Sequence, residues 1–251
     1  MEGHRMMENE LYEAIFRRKS VRKYVSKPLD QDALAKVSSF IGSLRPMLPG
    51  IRVELKIMTS HEVRGLFKVD APHFLAFFSE VKEGYLTNAG FMLEQMDLFL
   101  SAEGIGSCWQ GGPKPVRKAR NASDLEFVIL MAFGKPAEDP HRKSVAEFER
   151  RPLAKITNVK GQDGLLESAR LAPSGMNNQP WYFTDGDGFI HAYSAKSLIV
   201  DRMNRTSVGI ALCHLWLAAA HSGMKVDLVS AISKDANPPK GYLYIASLAI
   251  K

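Results

Sequence analysis

The chain has 251 residues, of which 45% are hydrophobic and 24% charged, with a formal net charge of +6. That size and mixture suit an ordinary globular protein with a sizeable core, built as one large domain or two small ones. The longest apolar stretches, near residues 127–133 and 210–220, fall short of the roughly 20 residues a spanning helix needs, so no transmembrane helix is expected.

The first ten residues are charged and hold no apolar centre, so no secretory signal is expected there. Residues 11–18 read as a short helix with Leu11, Ile15 and the stem of Arg18 on one face. Asp30 is a good N-cap for a second helix over 33–44, in which Leu34, Val37 and Ile41 keep helical spacing until Pro46, Pro49 and Gly50 break it. Residues 53–57 alternate like a half-buried strand, and the continuous run 74–78 reads as a central one. Residues 86–103 form the strongest predicted helix, apolar on most sides, and Gly104 ends it as a left-handed cap. Residues 104–112 read as a glycine-rich turn. It is not a dinucleotide fingerprint, since it lacks the third glycine and joins no strand to a helix. A strand over 127–133 follows, then Pro136, Pro140 and a charged loop to Arg151.

The order then begins again, with a helix over 164–171, strands over 181–183 and 189–194, a long apolar helix over 207–222 and a strand over 242–249. Aligning Gly104 with Gly223 also pairs Gly90 with Gly209, Leu93 with Leu212 and Leu98 with Leu217. This predicts a fused internal duplication, with residues 11–150 as the first half and 151–251 as the second, packed as one unit.

Two motifs carry chemistry. Arg18-Lys19-Ser20-Val21-Arg22 places two guanidinium groups and a hydroxyl at alternating positions. In an extended segment these point the same way, which suits a phosphate dianion. Residues 172–181, Ala-Pro-Ser-Gly-Met-Asn-Asn-Gln-Pro-Trp, form a bend where Pro173 stops a helix and small polar residues expose backbone to a flat ligand.

Pro173-Ser174-x-x-Asn177-x-Gln179-Pro180-Trp181 resembles the flavin-contacting loop of the FMN-dependent nitroreductases, and residues 18–22 resemble that family's basic box. The family places box and loop a few dozen residues apart, whereas here they stand at 22 and 173. Familiar members are intertwined homodimers with FMN at the interface. The resemblance therefore implies an α+β fold with a mostly antiparallel sheet and packed helices, in which one chain mimics the homodimer and acts as a monomer with one intact flavin site.

The resemblance further implies that Arg18, Lys19, Ser20 and Arg22 hold the FMN phosphate and pyrimidine edge. Pro173, Ser174, Gly175 and Asn177 would lie along the ring and ribityl chain. Residues 104–109 are similar to a family stretch that precedes amides addressing the flavin, here those of Gly111 and Gly112, with Gln110. Arg150 stands at the spacing of a phosphate ligand, although Phe148 replaces the second cation. Gln179, Pro180 and Trp181 are expected to shape the loop and core. The implied activity is hydride transfer from NADH or NADPH through flavin N5 to a nitroaromatic, a quinone or another flat small molecule, in alternating half-reactions.

Such a site needs no dedicated catalytic side chain, and the sequence shows no Ser-His-Asp order, no HExxH, no P-loop and no metal-ligand set. Cys108 and Cys213, without CxxC spacing, suit a reducing cytoplasm. His191 and His214 read as core or surface residues. The basic clusters at 17–19, 114–120 and 150–151 are not interleaved with aromatics, so neither nucleic acid nor membrane is expected as a partner. The competing reading is a flavin-binding or sensing module with little turnover.

Overall fold

The computed structural model describes residues 2–186, 188–229 and 237–250. In chain order these form α1 (Glu2–Ile15), α2 (Gln31–Ile41), β1 (Val53–Thr59), β2 (Val63–Arg64), β3 (His73–Ser79), α3 (Tyr85–Ala102), β4 (Gly106–Gln110), β5 (Lys114–Pro115), α4 (Arg117–Arg120) and β6 (Glu126–Gly134). Next come α5 (Asp163–Arg170), β7 (Trp181–Gly186), β8 (Phe189–Ala195), α6 (Asp201–His221), β9 (Val226–Val229) and β10 (Tyr242–Ile250).

Two four-stranded sheets carry the chain, ordered β1-β3-β6-β4 and β7-β8-β10-β9, with every neighbouring pair antiparallel. In each sheet the first two strands form a pair and a long helix follows. The last two strands then add in reversed order, so the two sheets share one connectivity. β3 is buried along its whole length because both its faces are covered. Leu75 and Phe77 face the main core, while Phe74, Ala76 and Phe78 face a smaller apolar cluster with Met58 and Leu130. That explains an apolar run without alternation. β1 is half-buried at most of its positions rather than alternating.

α3 and α6 lie against each other at the centre and are buried through most of their length. Their approach is set by two glycines. A Cβ on Gly90 would fall 2.0 Å from the Thr206 carbonyl oxygen, and one on Gly209 would fall 2.0 Å from that of Thr87. Gly209 follows Gly90 by 119 residues, as Thr206 follows Thr87, so the contact is reciprocal. One apolar core runs through both halves, from Leu11 to Leu248.

Several elements differ from expectation: α2 spans Gln31–Ile41 rather than 33–44, and the short β2, β5 and α4 were not foreseen. α1 spans Glu2–Ile15 rather than 11–18: nothing interrupts the helix before residue 11 and Met7 packs on the core, while Arg18 lies past its end in a bridge to His141. α6 begins at Asp201 rather than residue 207, drawing polar residues into a helix that the apolar pattern alone would start later. β9 was not foreseen, since four residues at a sheet edge carry little pattern. The expected glycine-rich turn contains β4, whose Gly106 lets Val21 approach; a Cβ there would meet Val21 at 2.8 Å. Among the described residues no helix is long and apolar enough to cross a membrane.

Candidate functional site

The box leaves α1 in extended form. Arg18 bridges to His141, Ser20 bridges to Ser107 of β4, and Val21 N–H donates to the Ser107 carbonyl at 2.8 Å. The box is thus laid along an edge strand, as alternation of its side chains requires. The Tyr24 hydroxyl donates to the Val21 carbonyl at 2.6 Å and pins its far end.

The loop after α5 is held in a tight bend, with Met176, Asn177 and Gln179 at φ of 53°, 55° and 47°. Such backbone is uncommon for non-glycine residues and persists only where surroundings impose it. The surroundings are visible. Gln179 is buried; its Oε1 accepts from Arg151 N–H at 2.6 Å and its Nε2 donates to the Asn177 carbonyl at 3.0 Å. Ser174 Oγ accepts from Gln179 N–H at 2.9 Å. Gly175 docks on α6, its N–H 3.3 Å from Ser207 Oγ, and a Cβ there would fall 2.1 Å from Met203 Sδ.

Box and loop, 151 positions apart between Arg22 and Pro173, meet across two adjoining hollows. The first, of about 480 Å³, is lined by Arg18, Lys19, Ser20 and Arg22 together with Arg142, Arg150, Pro173, Ser174 and Asn177, and by two carboxylates, Glu147 and Glu149, that its five cations outnumber. The second, of about 280 Å³, shares Ser20, Arg22, Pro173 and Ser174, and adds Gly111, Gly175 and the apolar walls Cys108, Trp109, Met203 and Ile210. One hollow is cationic; the other is largely apolar.

Individual roles differ from the sequence reading. Arg18 does not project its guanidinium freely beside Arg22. It is 1% exposed, and its Nη2 lies 2.9 Å from Asp97 of α3 and 3.3 Å from Ser20 Oγ. A buried carboxylate needs a counter-charge, and Arg18 is the cation at hand. Asp97 also accepts from the Ser107 hydroxyl and from Trp109 Nε1 at 3.3 Å, so it ties box, β4 and helix together. Arg150 lines the cationic hollow, but it donates to the Leu171 and Ala172 carbonyls, to the Glu149 carbonyl and to Asn177 Oδ1 at 2.8 Å. Asn177 Nδ2 in turn donates to the Glu149 carbonyl at 2.8 Å. Arg150 therefore acts on the hollow mainly as charge. Burial, then the neighbouring Arg18, Arg142 and Arg170, lower its pKa to about 10.

Of the remaining expected residues, Gly111 reaches the apolar hollow, whereas Gln110 and Gly112 stand beside it. Gln110 is buried, with Oε1 accepting from Val69 N–H at 3.1 Å, and Gly112 abuts the Leu66 carbonyl. Asp97, Arg142 and Met203 were missed. Arg142 donates to the Arg18 carbonyl and stacks 4.1 Å from the Phe148 ring centroid. Asp97 had a signal: with Glu94 it is a charged residue inside an otherwise apolar helix.

Below the site, Glu94 and His214 form a fully buried pair at 2.8 Å. His214 Nδ1 lies 2.9 Å from the Ser168 carbonyl, to which it must donate, leaving Nε2 to accept from a protonated Glu94. Burial acts the same way on both, raising the Glu94 pKa and lowering that of His214 to about 3. His214 is a core residue, as one of the two expected placements had it.

A family model described as "Putative TM nitroreductase" matches residues 10–219. Among solved structures, a "putative nitroreductase" of Thermotoga maritima is 22% identical with a TM-score of 0.66, covering 96% of this chain and 93% of that one. A nitroreductase family protein of Clostridium difficile is 16% identical with a TM-score of 0.46, over 61% of this chain and 97% of that one. An FMN-dependent nitroreductase of Clostridium difficile is 18% identical with a TM-score of 0.40, over 51% and 87% respectively. A search of curated proteins returns no match.

Proposed function

The chain belongs to this nitroreductase family of oxidoreductases and has its α+β fold, and from that premise we propose an FMN-dependent oxidoreductase that takes hydride from NADH or NADPH and reduces flat small-molecule electrophiles. The observation that carries the reading is the meeting of box and loop across a cationic and an apolar hollow. The residues suit FMN. Burial first, then the nearby Arg18, depresses the pKa values of Arg142 and Arg150; the cations lining this hollow outnumber Glu147 and Glu149, leaving positive charge that a phosphate dianion would relieve. Lys19 and Arg22 supply further cations there.

When bound, FMN supplies a ring that accepts hydride and passes it on. The chain's own part is binding and exclusion of water. Trp109, Met203 and Ile210 wall the apolar hollow for a flat ring, and Gly111, with open space where a Cβ would stand, admits close backbone approach. Ser174 Oγ already accepts from Gln179 N–H, which leaves its hydrogen to donate into the hollow. Reductant and acceptor would use the same open ring face in turn.

We read the shared connectivity and the reciprocal glycine contact as a fused duplication, with halves 11–150 and 151–251 packed as one unit. One chain would then stand for the family's dimer, work as a monomer and act in the cytoplasm. A second reading, a flavin-binding module with little turnover, draws on the inward commitments of Asn177 and Arg150.

The test is the visible spectrum of the protein after saturation with FMN and desalting, followed by anaerobic titration with NADH and NADPH. The expected result is about one FMN per chain, bleached rapidly by at least one nicotinamide. Two per chain would overturn the single site, bound flavin that does not bleach would favour the binding module, and no retained flavin would remove the functional reading. Arg22→Ala should weaken retention without lowering the melting temperature, because Arg22 is exposed.

A further inference from the structure

The loop between β2 and β3 displays two large apolar side chains to solvent, Leu66 at 80% and Phe67 at 92% exposure. Its base is firmly held. Lys68 Nζ donates to the Ser60 carbonyl and hydroxyl, both at 2.9 Å, and Val69 N–H is held by Gln110. Gly65, at φ 144°, passes so close to Pro113 that a Cβ would fall 2.7 Å from its Cα. Phe67 itself sits at φ 59°, a conformation rare for a bulky residue. Backbone strain and apolar exposure coincide at one tip.

The tip stands in a basic field. β2 and β5 set Arg64 opposite Lys114 close to the tip, and α4 carries Arg117, Lys118 and Arg120 at the other end of that ladder, past Glu62. All five are exposed, and among the described residues none forms an ion pair. The acidic residues of the same segments are Glu62, whose carboxylate accepts from Thr59, and Asp70.

We propose that this tip and its basic rim attach the protein peripherally to an anionic lipid surface. Leu66 and Phe67 would enter the acyl boundary while the cations meet acidic headgroups, the two signals together supplying an anchor that neither gives alone. Charge complementarity selects an anionic partner. An exposed leucine beside a single ring, with no second aromatic and no groove, selects lipid over nucleic acid, which needs stacking platforms along a track. No membrane signal is visible in the sequence because Leu66–Phe67 and the cations at 114–120 lie about fifty residues apart and are joined into one surface only by the β2–β5 pairing. Since Gly112 abuts Leu66 and Gly111 lines the apolar hollow, attachment by this tip would bring that hollow near the surface. The inference holds whatever the hollows bind.

The experiment is flotation of the full chain with vesicles of phosphatidylcholine alone or mixed with phosphatidylserine, at low and raised salt. Binding to the mixed vesicles only, weakened by salt, is the expected result. Leu66→Ser with Phe67→Asn should cut the bound fraction about tenfold; asparagine tolerates the left-handed backbone, so the fold is kept. Arg117→Gln with Lys118→Gln should cut it several-fold, and melting curves of both variants should match the parent. No binding to the mixed vesicles, equal binding to neutral ones, or undiminished binding by the tip variant would each overturn the proposal. Retention on a single-stranded oligonucleotide without vesicle binding would reassign the surface to nucleic acid.

Discussion

Two corners of the molecule dock a loop on a long helix through the same kind of bond. At one, Gly175 N–H reaches Ser207 of α6 at 3.3 Å; at the other, Leu48 N–H reaches Asn88 of α3 at 2.9 Å. Ser207 follows Asn88 by 119 residues, as Met203 follows Gly84. The volumes are exchanged between the corners. Gly175 faces Met203, whereas Leu48 faces Gly84, where a Cβ would fall 2.5 Å from Leu48 Cδ1. The first loop continues through Ser174 and Pro173 into the walls of two hollows, while the second buries Met47 in the core. The helices differ in the same sense. α3 carries Glu94 and Asp97, and the positions 119 residues later are Cys213 and Trp216, both buried. One backbone arrangement can therefore wall a binding site or fill a core, depending on where bulk and charge are placed.

The largest expected effect lies on the polar side. Asp97→Ala leaves the Arg18 charge buried without its partner and should cost about 3–5 kcal/mol in urea unfolding. A loss below about 1 kcal/mol would mean that Arg18 finds water, and the polar corner would then be no more rigid than the apolar one.

Gly90→Ala and Gly209→Ala test the reciprocity of the helix contact. Each would drive a methyl group into a backbone carbonyl that cannot rotate away, so each should cost about 3 kcal/mol, measured by thermal melts. Closely similar losses are expected; an unaffected variant at either position would break the symmetry.

The Glu94–His214 pair gives a pH signature absent from the other side, where Gln95, 119 residues before His214, takes its place. Folded Glu94 keeps its proton above its ordinary value near 4.5, so its contribution is full below that value and is lost as pH rises through the raised one. His214 is neutral when folded down to about 3, against 6.5 ordinarily, so its contribution is present above 6.5 and is lost as pH falls toward 3. Between about 4.5 and 6.5 the two slopes cancel, because folded and unfolded chains each hold one proton on the pair. Above that window stability should fall by up to about 1.4 kcal/mol per pH unit. Glu94→Gln should flatten this alkaline limb in denaturant melts taken across pH and, by removing the cancelling slope, extend the acid limb up to about 6.5.

The smallest effect separates the helices that precede the two loops. Asp30 Oδ1 caps α2 by accepting from Ala33 N–H at 2.8 Å, whereas Gln162 caps α5 with no side-chain bond. Asp30→Ala should cost about 1 kcal/mol, and Gln162→Ala should be neutral within the error of chemical denaturation.

Much of the fold was legible in the residues. The Asp30 cap, the buried runs of β3 and β6 and the apolar helices α3 and α6 all follow from periodicity and local chemistry, which act over a few residues. β4 and β9 were not legible, because edge strands take their pairing from a partner rather than from their own pattern. The same limit applied at the site. Box and loop could be singled out one by one, but that Arg18 would turn inward depended on Asp97, 79 positions away. Nothing near Arg142 showed that the linker would return to the box.

The sequence by itself determined the main helices and the inner strands, that two motifs suit an anion and a flat ring, and that the order of these elements repeats. Only the tertiary structure decided which cations stay available and which are neutralised, which loop walls a hollow and which becomes core, and that an apolar tip and a basic helix share one two-stranded ladder. Secondary structure answers to neighbours within a turn or a pleat. Burial and charge pairing answer to whatever the chain brings back from a hundred residues away, and that is set by packing.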